Sequence, residues 1–316
     1  MERATMMRLY CAVDGELKEA ERAGCKEALW IDMVAPTPEE VERIHKEFNV
    51  ALQDVADCLD PNERARVEIE ESYDMLVLRS LLTEERNGDK TQMMPIGIIV
   101  TPKNIVTVRI GITFDVNDLT TDLRKRPRLD TKEDLFLALV RKVNRDVERR
   151  VRPMERTMSA IQQEILTPKG SDVATGAFAL SNSLIVLNTA LLANLNAMSM
   201  IPRMKHLRLN KSQIDLAEDL ENDVAQLYEM TTIYREIMAN ILSAYESTLA
   251  NNLQVVMKTL TTISLILILP VMITAMFSMN VDLPLSDNPY AFWVIVALSA
   301  TAVFGLWLMF RIKRIL

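Results

Sequence analysis

The sequence predicts an α+β cytosolic domain with a mixed sheet, followed by long stalk helices and a two-helix transmembrane hairpin. Short β-branched runs in residues 1–130 predict the sheet, and helical spacing of apolar residues predicts helices from residue 131 onward. Two apolar runs without charge, Leu260–Met279 and Tyr290–Phe310, come near the end of the chain. At about 20 residues and ~1.5 Å of rise per residue, each run matches a hydrocarbon core of about 30 Å.

Composition limits the compartment and the partners. The net charge of −7 argues against nucleic acid as a partner and favours a surface that gathers cations. Residues 1–12 carry charges and lack the apolar core of a signal peptide, so we expect the front domain to stay in the cytosol. The three cysteines, Cys11, Cys25 and Cys58, lack metal-ligand spacing and are expected to be reduced thiols.

Residues 1–130 are expected to form the α/β domain. A strand is predicted at residues 29–32, and Thr37 is predicted to cap a helix whose first residue is Pro38. Residues 75–78 form another apolar, strand-like run. Two further runs, Ile96–Val100 and Ile105–Val108, flank a turn sequence and predict a β-hairpin. Helices are expected to pack on the faces of this sheet.

Residues 131–210 are expected to form long paired helices. One is predicted over Lys132–Leu166, where Pro153 removes a hydrogen bond and introduces a kink, and a second runs from Asp172 to about Met200. A stalk helix is predicted over residues 211–258, with no glycine or proline before Pro270. Unbroken to Phe277, it would be on the order of 100 Å long and would have to pack along other helices of its own or sister subunits.

The hairpin divides into a first span at residues 259–279, a loop at 280–289, a second span at 290–310 and a basic tail at 311–316. Positive residues flank the two spans and are absent from the loop: Lys258, Arg311, Lys313 and Arg314. Positive residues remain on the cytosolic side of a membrane. We therefore expect an inner- or plasma-membrane protein with both termini in the cytosol and the loop outside.

The loop begins with Ser278-Met279-Asn280. This segment is either a polar turn or, in an oligomer, a ring of amide carbonyls at the outer mouth of the first span. Mg²⁺ dehydrates reluctantly and keeps several waters, so neutral oxygen acceptors suit the hydrated ion.

The first span has one stripe at three-to-four spacing, and two readings of it remain open. In one, the stripe lines a pore of mainly apolar rings with few polar stations. In the other, serine and threonine side chains bond within their own helix or join neighbouring helices. The stripe consists of Met257, Leu260, Ser264, Ile268 and Val271.

Acidic residues follow one another along the stalk, at Asp215, Glu218, Asp219, Glu221 and Asp223. They form either a solvated face or, opposite the acids of another subunit, a place where a divalent ion relieves repulsion and acts as a sensed ligand. Neither His45 nor His206 belongs to a catalytic pattern, and no glycine-rich phosphate loop is present. We do not expect an enzyme.

Several segments together resemble the CorA family of divalent-cation channels, the two-span Gly-x-Asn family. Met279-Asn280 follows the first span, and residues 256–261 are similar to the end of the family's stalk helix. Trp30-Ile31-Asp32, followed by Pro36, Glu39-Glu40 and Arg66-Val67-Glu68, resembles its cytosolic domain. Two residues depart from the family pattern at the mouth, because Ser278 replaces glycine and Phe277 replaces tyrosine.

The resemblance implies a funnel-shaped homopentamer in which stalks and first spans surround a central pore and second spans lie outside. It implies a selectivity mouth for hydrated Mg²⁺ at Ser278, Met279 and Asn280. Pore-facing positions carry over to Gln254, Met257, Leu260, Ile268 and Val271. At Gln254 the family usually has asparagine, and at Val271 it often has threonine.

The resemblance also implies regulatory carboxylates between subunits, at Asp219 on the stalk and Glu84 or Glu85 in the front domain. The expected function is therefore inward transport of Mg²⁺, with Co²⁺ and Ni²⁺ as further ions, driven by the membrane potential and gated by cytosolic Mg²⁺. Mg²⁺ would be both substrate and regulatory ligand, and the partners would be sister subunits and membrane lipids. Two alternatives are a transporter of zinc or another divalent cation, and a non-conducting membrane-anchored scaffold or Mg²⁺ sensor.

Overall fold

A computed structural model describes the chain in several stretches, and it divides the chain into two compact units. One unit comprises Met1–Leu242 and the other Ser243–Leu316. Each unit is considered separately below. The residues that the structure describes are 6–13, 16–19, 29–82, 91–112, 119, 129, 131–165, 170–279 and 289–313.

Seven strands and seven helices are assigned in the described residues. The strands are β1 Met6–Val13, β2 Glu16–Glu19, β3 Trp30–Val34, β4 Arg66–Ile69, β5 Asp74–Leu81, β6 Met93–Val100 and β7 Ile105–Arg109. The helices are α1 Pro38–Phe48, α2 Leu52–Asp57, α3 Lys132–Val151, α4 Met154–Glu164, α5 Gly170–Met198, α6 Lys211–Phe277 and α7 Ala291–Ile312. A short 3₁₀ turn, Ile201–Arg203, lies between α5 and α6.

The strands form one mixed sheet in the order β2-β1-β3-β7-β6-β5-β4. Only β3 and β7 pair in parallel, with Asp32 opposite Thr107, and the other pairs are antiparallel. The predicted β6–β7 hairpin is confirmed, with Val100 opposite Ile105. The expected mixed sheet with helices is therefore confirmed.

A buried polar network joins the two parallel strands. The Trp30 indole N–H donates to Thr107 Oγ1 (2.9 Å), and the Thr107 hydroxyl donates to Asp32 Oδ1 (2.7 Å). The Arg109 guanidinium donates to both Asp32 oxygens, at 2.9 and 2.6 Å. Because a buried charge is costly unless it is paired, this network favours one register of β3 against β7.

The predicted start of α1 is confirmed in detail. Thr37 Oγ1 accepts the Glu40 N–H at 3.3 Å, and the Glu40 carboxylate accepts the Thr37 N–H at 2.8 Å. This reciprocal pair is a capping box, with Pro38 as the first helical residue.

Cys58 behaves as a buried hydrophobic residue. Burial raises the pKa of its thiol to about 12, so the thiol stays protonated near neutral pH. A side chain at Gly97 would bring its Cβ within 2.1 Å of Cys58 Sγ, so only glycine fits there. Cys11 is half-buried, while Cys25 lies outside the described residues.

The predicted helix over Lys132–Leu166 is two helices, because Pro153 does more than kink it. α3 ends at Val151 and α4 begins at Met154. Proline has no N–H to donate and its ring clashes with the preceding turn, so the chain starts a new helix there. The end of the predicted span, Leu166, lies outside the described residues.

The first part of α6 is buried along a strict heptad stripe. Steps of four and three alternate over four heptads, the spacing of a left-handed coiled coil. We call these residues the stalk seam: Gln213, Ala217, Leu220, Val224, Leu227, Thr231, Tyr234, Met238 and Ile241. Asn188 of α5 joins this seam, since its amide donates to the hydroxyls of Thr231 (3.1 Å) and Thr232 (2.8 Å).

α5 contains no charged residue from Val173 onward, and the chain has none until Arg203. Three described helices are long and apolar enough to cross a membrane: α5 (from Val173 onward, together with the turn that follows it), α6 and α7. Half of the most apolar stretch of α5 is buried inside the protein, against 6% for α6 and none for α7. The sequence had singled out only the last two as spans.

Asn194 of α5 completes the hydrogen bonding of β5 where its neighbour β4 has ended. β4 pairs with β5 only as far as Arg66, opposite Val77. Two residues further on, the Asn194 side chain accepts the Arg79 N–H (2.7 Å) and donates to the Arg79 carbonyl (2.9 Å). The N–H and C=O groups of Arg79 therefore point away from β6. The residue opposite Arg79 on β6 is Pro95, which has no N–H to donate.

This arrangement predicts that Asn194→Leu lowers the thermal unfolding temperature by several degrees. The substitution leaves a main-chain donor and a main-chain acceptor unpaired, at a cost of about 2 kcal/mol or more. The measurement is thermal unfolding of the purified full-length protein, followed by intrinsic tryptophan fluorescence. Asn196→Leu, an exposed position on the same helix, is the matched control. Equal unfolding temperatures for the two variants would contradict the role of Asn194.

Candidate functional site

One stretch of α6 is exposed on every side. All thirteen residues from 249 to 261 are exposed, although many are large and apolar. Leu253 is 66% exposed, Val256 62% and Met257 59%. A lone helix with apolar residues all round is not stable in water, because helices owe most of their stability to packing. This stretch therefore requires partners that a single chain does not supply.

The six residues predicted to line a pore all lie on an exposed face of α6. At 100° per residue, Met257, Leu260, Ser264, Ile268 and Val271 fall within an arc of about 80°, and Gln254 lies about 40° beyond it. The four apolar members, Met257, Leu260, Ile268 and Val271, are 57–63% exposed. We call this set, with Gln254 and Ser264, the uncovered face.

The opposite side of α6 is covered within the hairpin unit. Thr262 is only 3% exposed, and the less exposed positions around it recur at helical spacing: Ile266, Leu269, Pro270, Ile273 and Phe277. The matching positions on α7 are Ala291, Ile295, Ser299, Ala302, Leu306 and Phe310. The two helices bury these faces against each other, because the unit contains no other described helix. The uncovered face therefore points away from α7.

Several threonines of the first span bond within their own helix, as one of the two sequence readings expected. Thr259 donates to the Val255 carbonyl, Thr262 to that of Lys258 and Thr274 to that of Pro270, at 2.8–3.0 Å. These hydroxyls stay satisfied without a neighbouring helix. Hydrogen bonds within the helix cannot satisfy the apolar side chains of the uncovered face in this way.

Ser278 closes the last turn of α6. Its N–H donates to the Thr274 carbonyl (3.1 Å) and its hydroxyl to the Ala275 carbonyl (2.8 Å). The described residues with positive φ are Ala35, Asn49 and Gly111, so Ser278 keeps an ordinary conformation. The serine therefore fits where the family has glycine. Met279 follows and is exposed, whereas Asn280 lies outside the described residues.

Basic and aromatic residues mark the end of α7. The Arg311 guanidinium lies 5.1 Å from the centre of the Trp307 ring, a cation–π contact typical of a membrane interface. Lys258 and Lys313 are exposed, and Arg314 lies outside the described residues.

The acidic residues of the stalk flank the seam. Asp215, Glu218, Asp219 and Asp223 are exposed, and Glu221 is half-buried. The pKa of Asp223 is raised, first by burial and then by the carboxylates of Glu148 and Asp219, while Arg141 opposes the shift. Partial burial is thus the larger cause of this shift, and the neighbouring carboxylates of Glu148 and Asp219 add to it. Glu84 and Glu85 lie outside the described residues.

Within the described part of the chain, no three histidine, cysteine, aspartate or glutamate side chains come together as a metal site. The structure does join two residues that the sequence left apart. His206, which looked isolated, lies against the buried Asp74, 132 positions away along the chain. No local spacing signals such a contact.

Comparison with known proteins identifies the family. A family model described as "CorA-like Mg2+ transporter protein" matches residues 26–314. The chain belongs to this family. The match includes strands β3–β7 of the sheet, the stalk seam, the uncovered face and both predicted spans.

Two relatives and one solved structure support the family assignment. The "Cobalt/magnesium transport protein CorA" of Methanocaldococcus jannaschii is 26% identical over 289 residues, covering 90% of both chains. A protein of the same description from Thermotoga maritima is 22% identical over 257 residues, covering 77% of this chain and 70% of that one. The complete structure of the CorA magnesium transporter from M. jannaschii shares the fold, with a TM-score of 0.79 and 22% identity over 98% of both chains.

Proposed function

We propose that the chain is one subunit of a homopentameric channel that carries Mg²⁺ into the cytosol across the inner or plasma membrane. Family membership and relatives described as cobalt/magnesium transport proteins support transport of divalent cations. The protein is not an enzyme, and sister subunits and lipids are its partners. Both termini lie in the cytosol, and the loop between the spans lies outside.

One observation carries the proposal: α6 is exposed on all sides over residues 249–261 and on one face beyond them. Sister copies of α6 cover this surface if they surround a common axis with the uncovered faces inward. The pore is then lined mainly by apolar side chains, and Gln254 and Ser264 are its polar residues. Apolar constrictions of this kind close by dewetting.

The direction of transport follows from the membrane potential. A divalent ion gains about 4.6 kcal/mol per 100 mV on entering a negative cytosol, twice the value for one elementary charge. Transport therefore needs no ATP. At the outer mouth, amide and main-chain carbonyls around Ser278, Met279 and Asn280 accept hydrogen bonds from the waters that Mg²⁺ retains.

Two alternatives lead to different measurements. A channel of the same fold that prefers Zn²⁺ or another divalent ion would change the order of ion fluxes but not their existence. A scaffold or Mg²⁺ sensor without conduction would give no flux at all.

The first prediction concerns the mouth. Asn280→Ala is expected to reduce Mg²⁺ flux at least tenfold while assembly is unchanged, because the ring of amide carbonyls is lost. Proteoliposomes with an inside-negative potential report flux of Mg²⁺, Co²⁺, Ni²⁺ and Zn²⁺ separately, and the mass of the assembly in detergent reports the oligomer.

Asn288→Ala, another amide in the same loop, is the matched control and should conduct normally. Flux at the wild-type rate in Asn280→Ala would remove Asn280 from the mouth. Absence of every divalent flux in the wild-type protein would favour the scaffold.

The second prediction concerns the uncovered face. Ile268→Ser is expected to raise Mg²⁺ flux under conditions that close the wild-type channel, since a hydroxyl ring holds water where an apolar ring excludes it. Leu298→Ser, on an exposed part of α7, is the control and should leave flux unchanged. If both variants behave like wild type, Ile268 does not line the closed pore.

The third prediction concerns regulation. Cytosolic Mg²⁺ bound between acidic subunit faces is proposed to hold the pore shut, with Asp219 among the ligands and Glu84 or Glu85 opposite. Asp219→Ala is then expected to weaken inhibition of flux by Mg²⁺ inside the vesicle severalfold. Asp215→Ala, one turn earlier on the same helix, should keep normal inhibition. Unchanged inhibition in Asp219→Ala would exclude this role.

A further inference from the structure

A buried carboxylate faces a histidine at the point where the chain enters α6. Asp74, the first residue of β5, is fully buried, and His206 lies five residues before α6 begins. The His206 main-chain N–H donates to Asp74 Oδ2 at 2.5 Å. This bond holds the segment of residues 204–210 against the sheet.

The side chains of the same two residues are not hydrogen-bonded. Asp74 Oδ1 and His206 Nδ1 lie 3.4 Å apart, both atoms are buried, and neither has a hydrogen-bond partner among the residues that the structure describes. Buried polar atoms of this kind nearly always have partners, because leaving them unpaired is costly. With the imidazole proton on Nε2, two lone pairs face each other. A neutral ring can donate from Nδ1 only by giving up the proton on Nε2, whereas a protonated ring donates from both nitrogens and places a positive charge opposite the carboxylate.

The other charged groups around this pair are bonded to different atoms. Lys132, at the start of α3, donates to the carbonyls of Thr101 (2.9 Å), Pro102 (2.9 Å) and His206 (2.5 Å). Burial lowers the pKa of Lys132, against the raising effect of Glu133 and Asp74. Glu133 accepts the Arg208 N–H at 3.3 Å. The Lys132 ammonium therefore bonds main-chain carbonyls, with the Arg208 charge nearby, and of these groups His206 is the one whose side chain faces Asp74 Oδ1.

We propose that Asp74 and His206 form a proton-binding site that fastens residues 204–210, and so the start of α6, to the sheet. Proton uptake from solvent forms an N–H bond at Nδ1, which then donates to Asp74 Oδ1. Histidine exchanges its proton near neutral pH, so the segment is held more tightly in mild acid than in mild alkali. The site does not depend on which ion the chain transports.

The chain offers a matched control for this proposal, because it contains only two histidines. The other, His45, lies in α1, and its Nδ1 is 2.8 Å from the Val50 carbonyl with no carboxylate bonded to it. His45→Gln therefore removes the second histidine without touching the proposed site.

The test is hydrogen exchange of the full-length protein in lipid nanodiscs at about pH 6 and about pH 8. After correction for the intrinsic pH dependence of exchange, residues 204–210 should be roughly tenfold more protected at the lower pH, the size expected for a charged hydrogen bond. His206→Gln should abolish this difference, and His45→Gln should retain it. Equal protection at both pH values in the wild type, or a difference that survives in His206→Gln, would overturn the proposal.

A second measurement follows the proton itself. In protein with isotope-labelled histidine, two ring signals are expected, and the one missing from His206→Gln belongs to His206. The His206 signal should change as the ring takes up a proton, and Asp74→Asn should move the midpoint of this change to lower pH, since the carboxylate favours the protonated ring. A His206 signal that does not titrate between about pH 5 and about pH 9, or a midpoint unmoved by Asp74→Asn, would refute the site.

Discussion

The stalk seam is the interaction on which the rest of the protein depends. Its nine buried positions hold the first half of α6 in the unit Met1–Leu242, and the same helix continues to Phe277. Because no glycine or proline interrupts it before Pro270, α6 has no built-in break between the two units.

Buried polar side chains give this scaffold its register. A purely apolar seam tolerates sliding by a heptad, but Asn188 is satisfied only where the Thr231 and Thr232 hydroxyls lie opposite it. Asn194 likewise forms hydrogen bonds with one residue of β5, Arg79, and Asp32 pairs with one arginine of β7, Arg109. Each contact leaves costly unpaired groups if the elements shift. Together they fix α5 against α6, α5 against the sheet, and β3 against β7.

Elements with strong local signals were predictable from sequence. The Thr37–Pro38 start of α1 follows from capping chemistry. The unbroken length of α6 follows from the absence of glycine and proline before Pro270. Strands β1, β2 and β4 escaped prediction; β4, for example, places charged Arg66 and Glu68 among its four residues. The Asp74–His206 contact has no sequence signal, because the fold alone brings the two residues together. The spacing of the uncovered face was visible in the sequence, but the pore that we propose for it requires several copies of the chain, which one sequence does not display.

The apolar composition of α5 has a consequence for how the protein is made. From Val173 onward α5 carries no charge. It packs on β4, β5 and α4, which are translated earlier, but the Thr231 and Thr232 partners of Asn188 are translated more than 30 residues after α5 ends. At ~5–20 residues per second of synthesis, Asn188 waits a few seconds for these partners. During that interval the composition of α5 matches that of a membrane span. The amides of Asn188 and Asn194 reduce its affinity for lipid, so that the sheet and α6, and not the bilayer, become its partners.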